Sequence, residues 1–340
     1  MLYRHIEFSR TFVVGKSMSR QTEHLEPESN PPKPFCVTDL PSNAASLRGT
    51  ARTYRKIRRT VRVILFTFFG LILYAVGCHA DRIARPIVFQ PTRFPAGRWN
   101  ERFPVTFEEI TFTNARNEKL VGWYFPIDKK EKFGTILYCH GNGGNISYMA
   151  EFADLMRQKL GCSVLIFDYA GYGKSEGTPT APGILDDGRA ARSALAKKEG
   201  IKETDIIVYG QSLGGSVAID LAAKDGARAL IVESSFTSLN DVGQRLLPFL
   251  PVRYLLKERL PSVEKIGEFK GPVFISHGRG DTTIPFEQGQ RLFDTANEPK
   301  TFYIPSKGRD YHSAPLGNEH WEQLRSFLQT LQRTANEPKP

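Results

Sequence analysis

Ile206-Ile207-Val208-Tyr209-Gly210-Gln211-Ser212-Leu213-Gly214 is the stretch on which the reading of this chain turns. Four apolar residues in a row read as a buried strand, and the residues from 214 to 224 have a helical apolar period. Glycines on both sides of Ser212 allow a tight strand-to-helix turn. Such a turn pushes the serine hydroxyl outward and aims the helix N-terminus at a developing negative charge. The pentapeptide alone is a weak signal, because an ordinary glycine-rich β-to-α turn meets the same pattern. Its weight depends on what surrounds it.

On either side the same alternation continues. Two antiparallel strands are expected at 107–112 and 119–125. Buried strands follow at 135–139, 164–168, 206–209, 229–233, 273–276 and 302–304. Helical patterns lie near 147–160, 183–198, 214–224, 286–295 and 319–332. Strands apolar on both faces and alternating with helices imply an α/β, doubly wound, mostly parallel sheet of eight strands. In such a sheet the chemistry sits at the carboxyl ends of the strands. Residues 240–270 interrupt the rhythm with Leu246-Leu247-Pro248-Phe249-Leu250-Pro251-Val252, an apolar insert expected to form a small lid.

The chain carries a formal charge of +10, but residues 1–80 hold 12 Lys/Arg against 5 Asp/Glu, so +7 of it lies there. The remaining residues are near neutral, and no aromatic-laced basic motif points to nucleic acid. Arg48, Arg52, Arg55, Lys56, Arg58, Arg59 and Arg62 instead precede an uncharged run, Val63–Cys78, as a positive-inside flank would. The segment 61–80 is therefore expected to be a membrane anchor, or a signal ending in a lipoprotein-like Gly77-Cys78. The catalytic domain would then lie outside the cytoplasm. Residues 1–60 read as a flexible basic tail, 100–332 as the catalytic domain and 333–340 as a short tail. Cys139 and Cys162 fall at opposite edges of the sheet and are not expected to pair.

A serine becomes a nucleophile when a histidine takes its proton and a carboxylate orients that histidine. Of seven histidines, only His312 and His320 follow a suitable acid. His312 lies in a polar loop after the last strand and is the expected base. His320 falls inside the last helix, where a packing role is expected. Asp281, in the loop after 273–276, is the expected acid; Asp294, Asp310 and Glu233 are its rivals. The oxyanion would be held by the backbone N–H groups of Leu213 and of Asn142 in His140-Gly141-Asn142-Gly143-Gly144-Asn145. His140, His277 and Asp281 have none of the spacings of a metal site, so neither metal nor cofactor is expected.

Five stretches occur in a fixed order: 140–145, Asp168 to Gly177 (DYAGYGKSEG), Gly210 to Gly215, Glu233 to Leu239 (ESSFTSL) and His277 to Phe286 (HGRGDTTIPF). Together they resemble the α/β-hydrolase superfamily, and more narrowly its membrane-anchored branch of α/β-hydrolase domain-containing proteins, some of which are acyl-protein thioesterases. The resemblance implies a triad of Ser212, Asp281 and His312. Hydrolysis of an acyl ester or thioester through an acyl-serine is then the expected activity, with a membrane as partner. A serine peptidase of the same fold is the alternative within enzymes. A catalytically silent membrane-bound binding protein is the alternative outside them.

Overall fold

The computed structural model describes residues 44–99, 101, 106–128, 130, 132–305 and 317–336. The chain divides into two units, Met1–Leu65 and Phe66–Pro340. A long helix, α1 (Ala44–Val88), precedes a two-residue strand, β1 (Gln90–Pro91). Then come β2 (Glu108–Thr113), β3 (Lys119–Phe125), β4 (Gly134–Cys139), β5 (Gly143–Gly144), α2 (Ala150–Leu160) and β6 (Cys162–Phe167). The order continues with α3 (Ala181–Glu199), β7 (Ile207–Gln211), α4 (Leu213–Asp225) and β8 (Ala229–Glu233). Three short helices follow, α5 (Leu239–Leu246), α6 (Val252–Leu255) and α7 (Ser262–Ile266). The chain ends through β9 (Val273–Ser276), α8 (Phe286–Thr295), β10 (Lys300–Tyr303) and α9 (Asn318–Asn336).

Eight strands form one sheet in the order β10-β9-β8-β7-β4-β6-β3-β2. Pairing is parallel from β10 to β6 and antiparallel at β6-β3 and β3-β2. This is the α/β-hydrolase fold expected from the sequence. Alternation along β4 explains the two apolar layers: Leu137 and Cys139 face one core with Val217 and Leu221 of α4. Ile136 and Tyr138 face the other, with Met156 of α2 and Leu324 of α9. Cys139 and Cys162 are both buried and unbridged. Local chemistry sets the element ends. Thr180 Oγ1 accepts the Gly183 N–H at 3.0 Å to start α3, and α3 stops at Gly200, whose φ of 66° suits a residue without Cβ.

β7 stands in the middle of the sheet, beside β4 and β8, so its carboxyl end is flanked by the ends of both neighbours. The turn after it requires close approach. A Cβ at Gly214 would overlap Cys139 O, and one at Gly210 would overlap Gly214 O. Backbone cannot yield as a side-chain tip can. Gly214→Ala is therefore expected to cost about 3 kcal/mol of stability, readable as a lowered thermal midpoint. An unchanged midpoint would refute the close approach.

The helix α1 begins at Ala44, inside the stretch read from sequence as tail. Its residues 51–69 contain neither Gly nor Pro and are rich in Arg, which favours helix. The uncharged run Val63–Cys78 lies within it, and Phe66, Phe68, Phe69, Leu71 and Tyr74 are exposed. Among the described residues no helix is long and apolar enough to cross a membrane. The run falls short of the roughly 20 apolar residues that a full span takes.

Candidate active site

Ser212 sits between β7 and α4 with φ 53° and ψ −117°, a conformation that L-residues avoid, and it is 7% exposed. Three hydrogen bonds hold it there. Its N–H donates to Glu233 O at 2.9 Å, while its carbonyl accepts from Gly215 N–H at 3.0 Å and from Ser235 Oγ at 2.8 Å. The neighbouring strand thus supports a strained backbone whose effect is to aim the side chain off the sheet end. Leu213 is the first residue of α4, so its N–H belongs to the free donors of a helix N-terminus.

The loop carrying Asn142 follows β4. It approaches Ser212 at Gly141, where a Cβ would lie 3.7 Å from Ser212 Cβ. The Asn142 carbonyl accepts from Gln90 N–H at 3.0 Å and from Tyr172 Oη at 2.7 Å, and Gly143–Gly144 pair with Gln90–Pro91. Tyr169 Oη donates to His140 O at 3.0 Å. The two tyrosines of the 168–173 motif therefore brace two carbonyls of this loop. The sequence reading gives the side chains of that motif no role. Two aromatic hydroxyls placed directly after a buried strand are the signal that could have found them.

Beneath the loop, Asp168 Oδ1 accepts the Ile146 N–H at 2.9 Å and stands 3.8 Å from His140 Nε2. Burial pushes the Asp168 carboxyl well above the usual carboxylate range and pulls His140 down to about 4. His140 is therefore neutral at physiological pH and serves the loop as a packed ring, against Tyr169 and Tyr172.

Asp281 lies in the loop after β9, two strands from β7. Its Oδ1 accepts the N–H groups of Thr283 at 2.9 Å and Ile284 at 2.8 Å, and its Oδ2 stands 3.5 Å from His277 Nε2. Burial acts to raise its pKa, but His277 and the two N–H groups outweigh it and hold the carboxyl below its ordinary value. Asp281 is thus an ionised carboxylate, fixed through one oxygen, at the sheet end that also bears Ser212. His312 falls at 306–316, outside the described residues, as does Asp310; the segment joins the end of β10 to the start of α9.

The two residues weighed against the expected base and acid meet each other. His320, in the first turn of α9, places Nε2 at 2.7 Å from Glu233 Oε1, and both side chains are buried. Glu233 ends β8 in register with Gln211, and Tyr138 Oη donates to Gln211 Oε1 at 2.9 Å. The pair lies on the α2/α9 side of the sheet, behind the strand end that offers Ser212. Asp294 is in the last turn of α8, where Oδ1 accepts from Gln290 Nε2 at 2.9 Å, remote from these groups in the fold.

The chain's similarities to known proteins agree with this layout. A family model described as serine aminopeptidase, S33, matches residues 130–263. An uncharacterized protein of Mycobacterium tuberculosis is 35% identical over 246 residues, which cover 72% of this chain and 84% of that one. The alpha/beta hydrolase domain-containing protein WAV2 of Arabidopsis thaliana is 31% identical over 291 residues, covering 78% and 94%. Among solved structures, an esterase of Pyrococcus furiosus superposes with a TM-score of 0.59 at 20% identity, covering 72% of this chain and 98% of the esterase. At that identity the likeness speaks for the fold.

Proposed function

The chain belongs to the α/β-hydrolase family, and from that premise we propose that it is a serine hydrolase cleaving a carboxylic ester or thioester through an acyl-Ser212 intermediate. The observation that carries this reading is Ser212 itself, held at φ 53° between the central strand β7 and the N-terminus of α4. A fold used only for binding gains nothing from that strain. In the reaction, the Ser212 hydroxyl attacks the acyl carbon while His312 takes its proton, then returns it to the leaving alcohol or thiol. Asp281 orients His312 and offsets its charge. The N–H groups of Leu213 and Asn142 receive the oxyanion. Water, activated by the same histidine, releases the acid.

The exposed apolar residues of α1, behind a basic flank, support attachment to a membrane surface. The apolar insert between β8 and β9 supports an acyl chain as the recognised part of the substrate. The serine aminopeptidase description of the matching family model favours amide cleavage as a second reading. A series of p-nitrophenyl esters of rising chain length, run beside aminoacyl p-nitroanilides, separates the two. Turnover of esters, rising from acetate toward medium chains, is expected. Cleavage of anilides with no ester turned over would replace esterase by peptidase.

A further inference from the structure

The insert between β8 and β9 presents an apolar ridge to the outside. Leu246 is 63% exposed, Phe249 98% and Tyr254 90%, with Leu247 and Leu250 beside them. Such a cluster is unusual on a surface meant for water. Part of its backbone is already satisfied from within. Leu247 N–H donates to Gly243 O at 2.9 Å and Leu250 N–H to Leu247 O at 3.1 Å, while Gln244 Nε2 donates to Leu250 O at 2.9 Å and Pro248 O at 3.3 Å. This tip can therefore leave water without stranding those groups, the condition for entering lipid. Asn240 Nδ2 fixes the base by donating to Arg253 O and Leu256 O, each at 3.1 Å.

Charge around the ridge has one sign to spare. Arg245, Arg253 and Lys257 are exposed along it. Of the nearby acids, Asp241 is bridged by Arg253 at 3.0 Å and Glu258 by Arg85 at 2.6 Å. Aromatic and aliphatic tips with cations at their margin are what an interfacial membrane contact uses. The ridge is also tied to α1. Asp81 Oδ1 accepts the N–H groups of Lys257 at 2.9 Å and Glu258 at 3.1 Å, and Glu258 Oε2 accepts Ala181 N–H at 3.0 Å. Whatever surface holds the exposed Phe66, Phe69 and Tyr74 of that helix therefore also holds the insert nearby.

We propose that the ridge Leu246–Tyr254 inserts into the interfacial layer of an anionic lipid bilayer, as a second membrane contact beside α1. This rests on the membrane attachment argued above. The insert leaves from the carboxyl end of β8, the sheet end that bears Ser212, so docking it places the site at the lipid surface, where a lipid-borne acyl ester enters without crossing water.

The test uses the full chain carrying Phe249→Trp, mixed with vesicles of phosphatidylcholine and phosphatidylglycerol whose acyl chains are plain or dibrominated. Wild type and Lys197→Trp, an exposed position on α3, are the controls. The emission that Phe249→Trp adds over wild type is expected to fall by about half or more in brominated vesicles, and the emission that Lys197→Trp adds to stay unchanged. Flotation on a density gradient reports attachment separately. A chain that floats while the indole introduced at position 249 goes unquenched overturns the ridge contact and leaves the attachment standing. A chain that does not float overturns both. Cross-linking through the ridge between two chains, without quenching, would assign the face to a second copy and overturn the lipid contact.

Discussion

Ser212→Ala is expected to yield a folded protein that takes up no fluorophosphonate and loses roughly 10⁶-fold in kcat on the ester that wild type handles best. The size follows from the role: without the nucleophile, only binding and the oxyanion donors remain to favour hydrolysis over water alone. The fold should survive, because alanine has the same Cβ at φ 53° and the bonds that fix the turn are made by the backbone and by Ser235. Circular dichroism and the thermal midpoint check that. Two serines nearby are engaged in structure and do not substitute. Ser235 Oγ donates to Ser212 O, and Ser216 Oγ donates to Leu213 O. Equal labelling of wild type and variant, or none of either, would sink the hydrolase reading.

The elbow is legible before the fold because its parts are local: an apolar strand, two glycines that permit close approach, and a helical period. The sheet is legible for a similar reason, since parallel strands buried on both faces leave unbroken apolar runs such as Ile136–Cys139. Long-range pairing cannot be read in this way. Nothing in the spacing of Glu233 and His320 says that they meet, because α9 returns to the sheet after a segment of sequence with no period. Nor does the sequence tell that Tyr169 and Tyr172 brace the loop after β4; their hydroxyls reach carbonyls about thirty residues away. The apolar run in α1 shows the opposite fault. Composition points to a span, but the run is shorter than a bilayer and the helix around it is longer than the run.

The Glu233–His320 pair turns the choice of base into a crossed prediction. His312→Ala is expected to lower kcat by roughly 10⁴- to 10⁶-fold and to leave the thermal midpoint unchanged, since a group that only moves protons contributes little to folding. His320→Ala is expected to do the reverse. It removes the partner 2.7 Å from a fully buried Glu233 carboxyl and leaves that polar group unpaired, at a cost of about 3 kcal/mol in stability. Its kcat should fall by no more than about tenfold, because Glu233 still receives the Ser212 N–H through its carbonyl and the turn persists. A double change, His320→Leu with Glu233→Gln, should recover much of the lost stability, as an apolar or neutral replacement of a buried pair does. The opposite pattern, a stable but inactive His320→Ala beside an active His312→Ala, would move the base to α9 and make Glu233 its acid. In that case the hydroxyl of Ser212 would have to face the α2/α9 side of the sheet, where His320 packs against Trp321 and Tyr303.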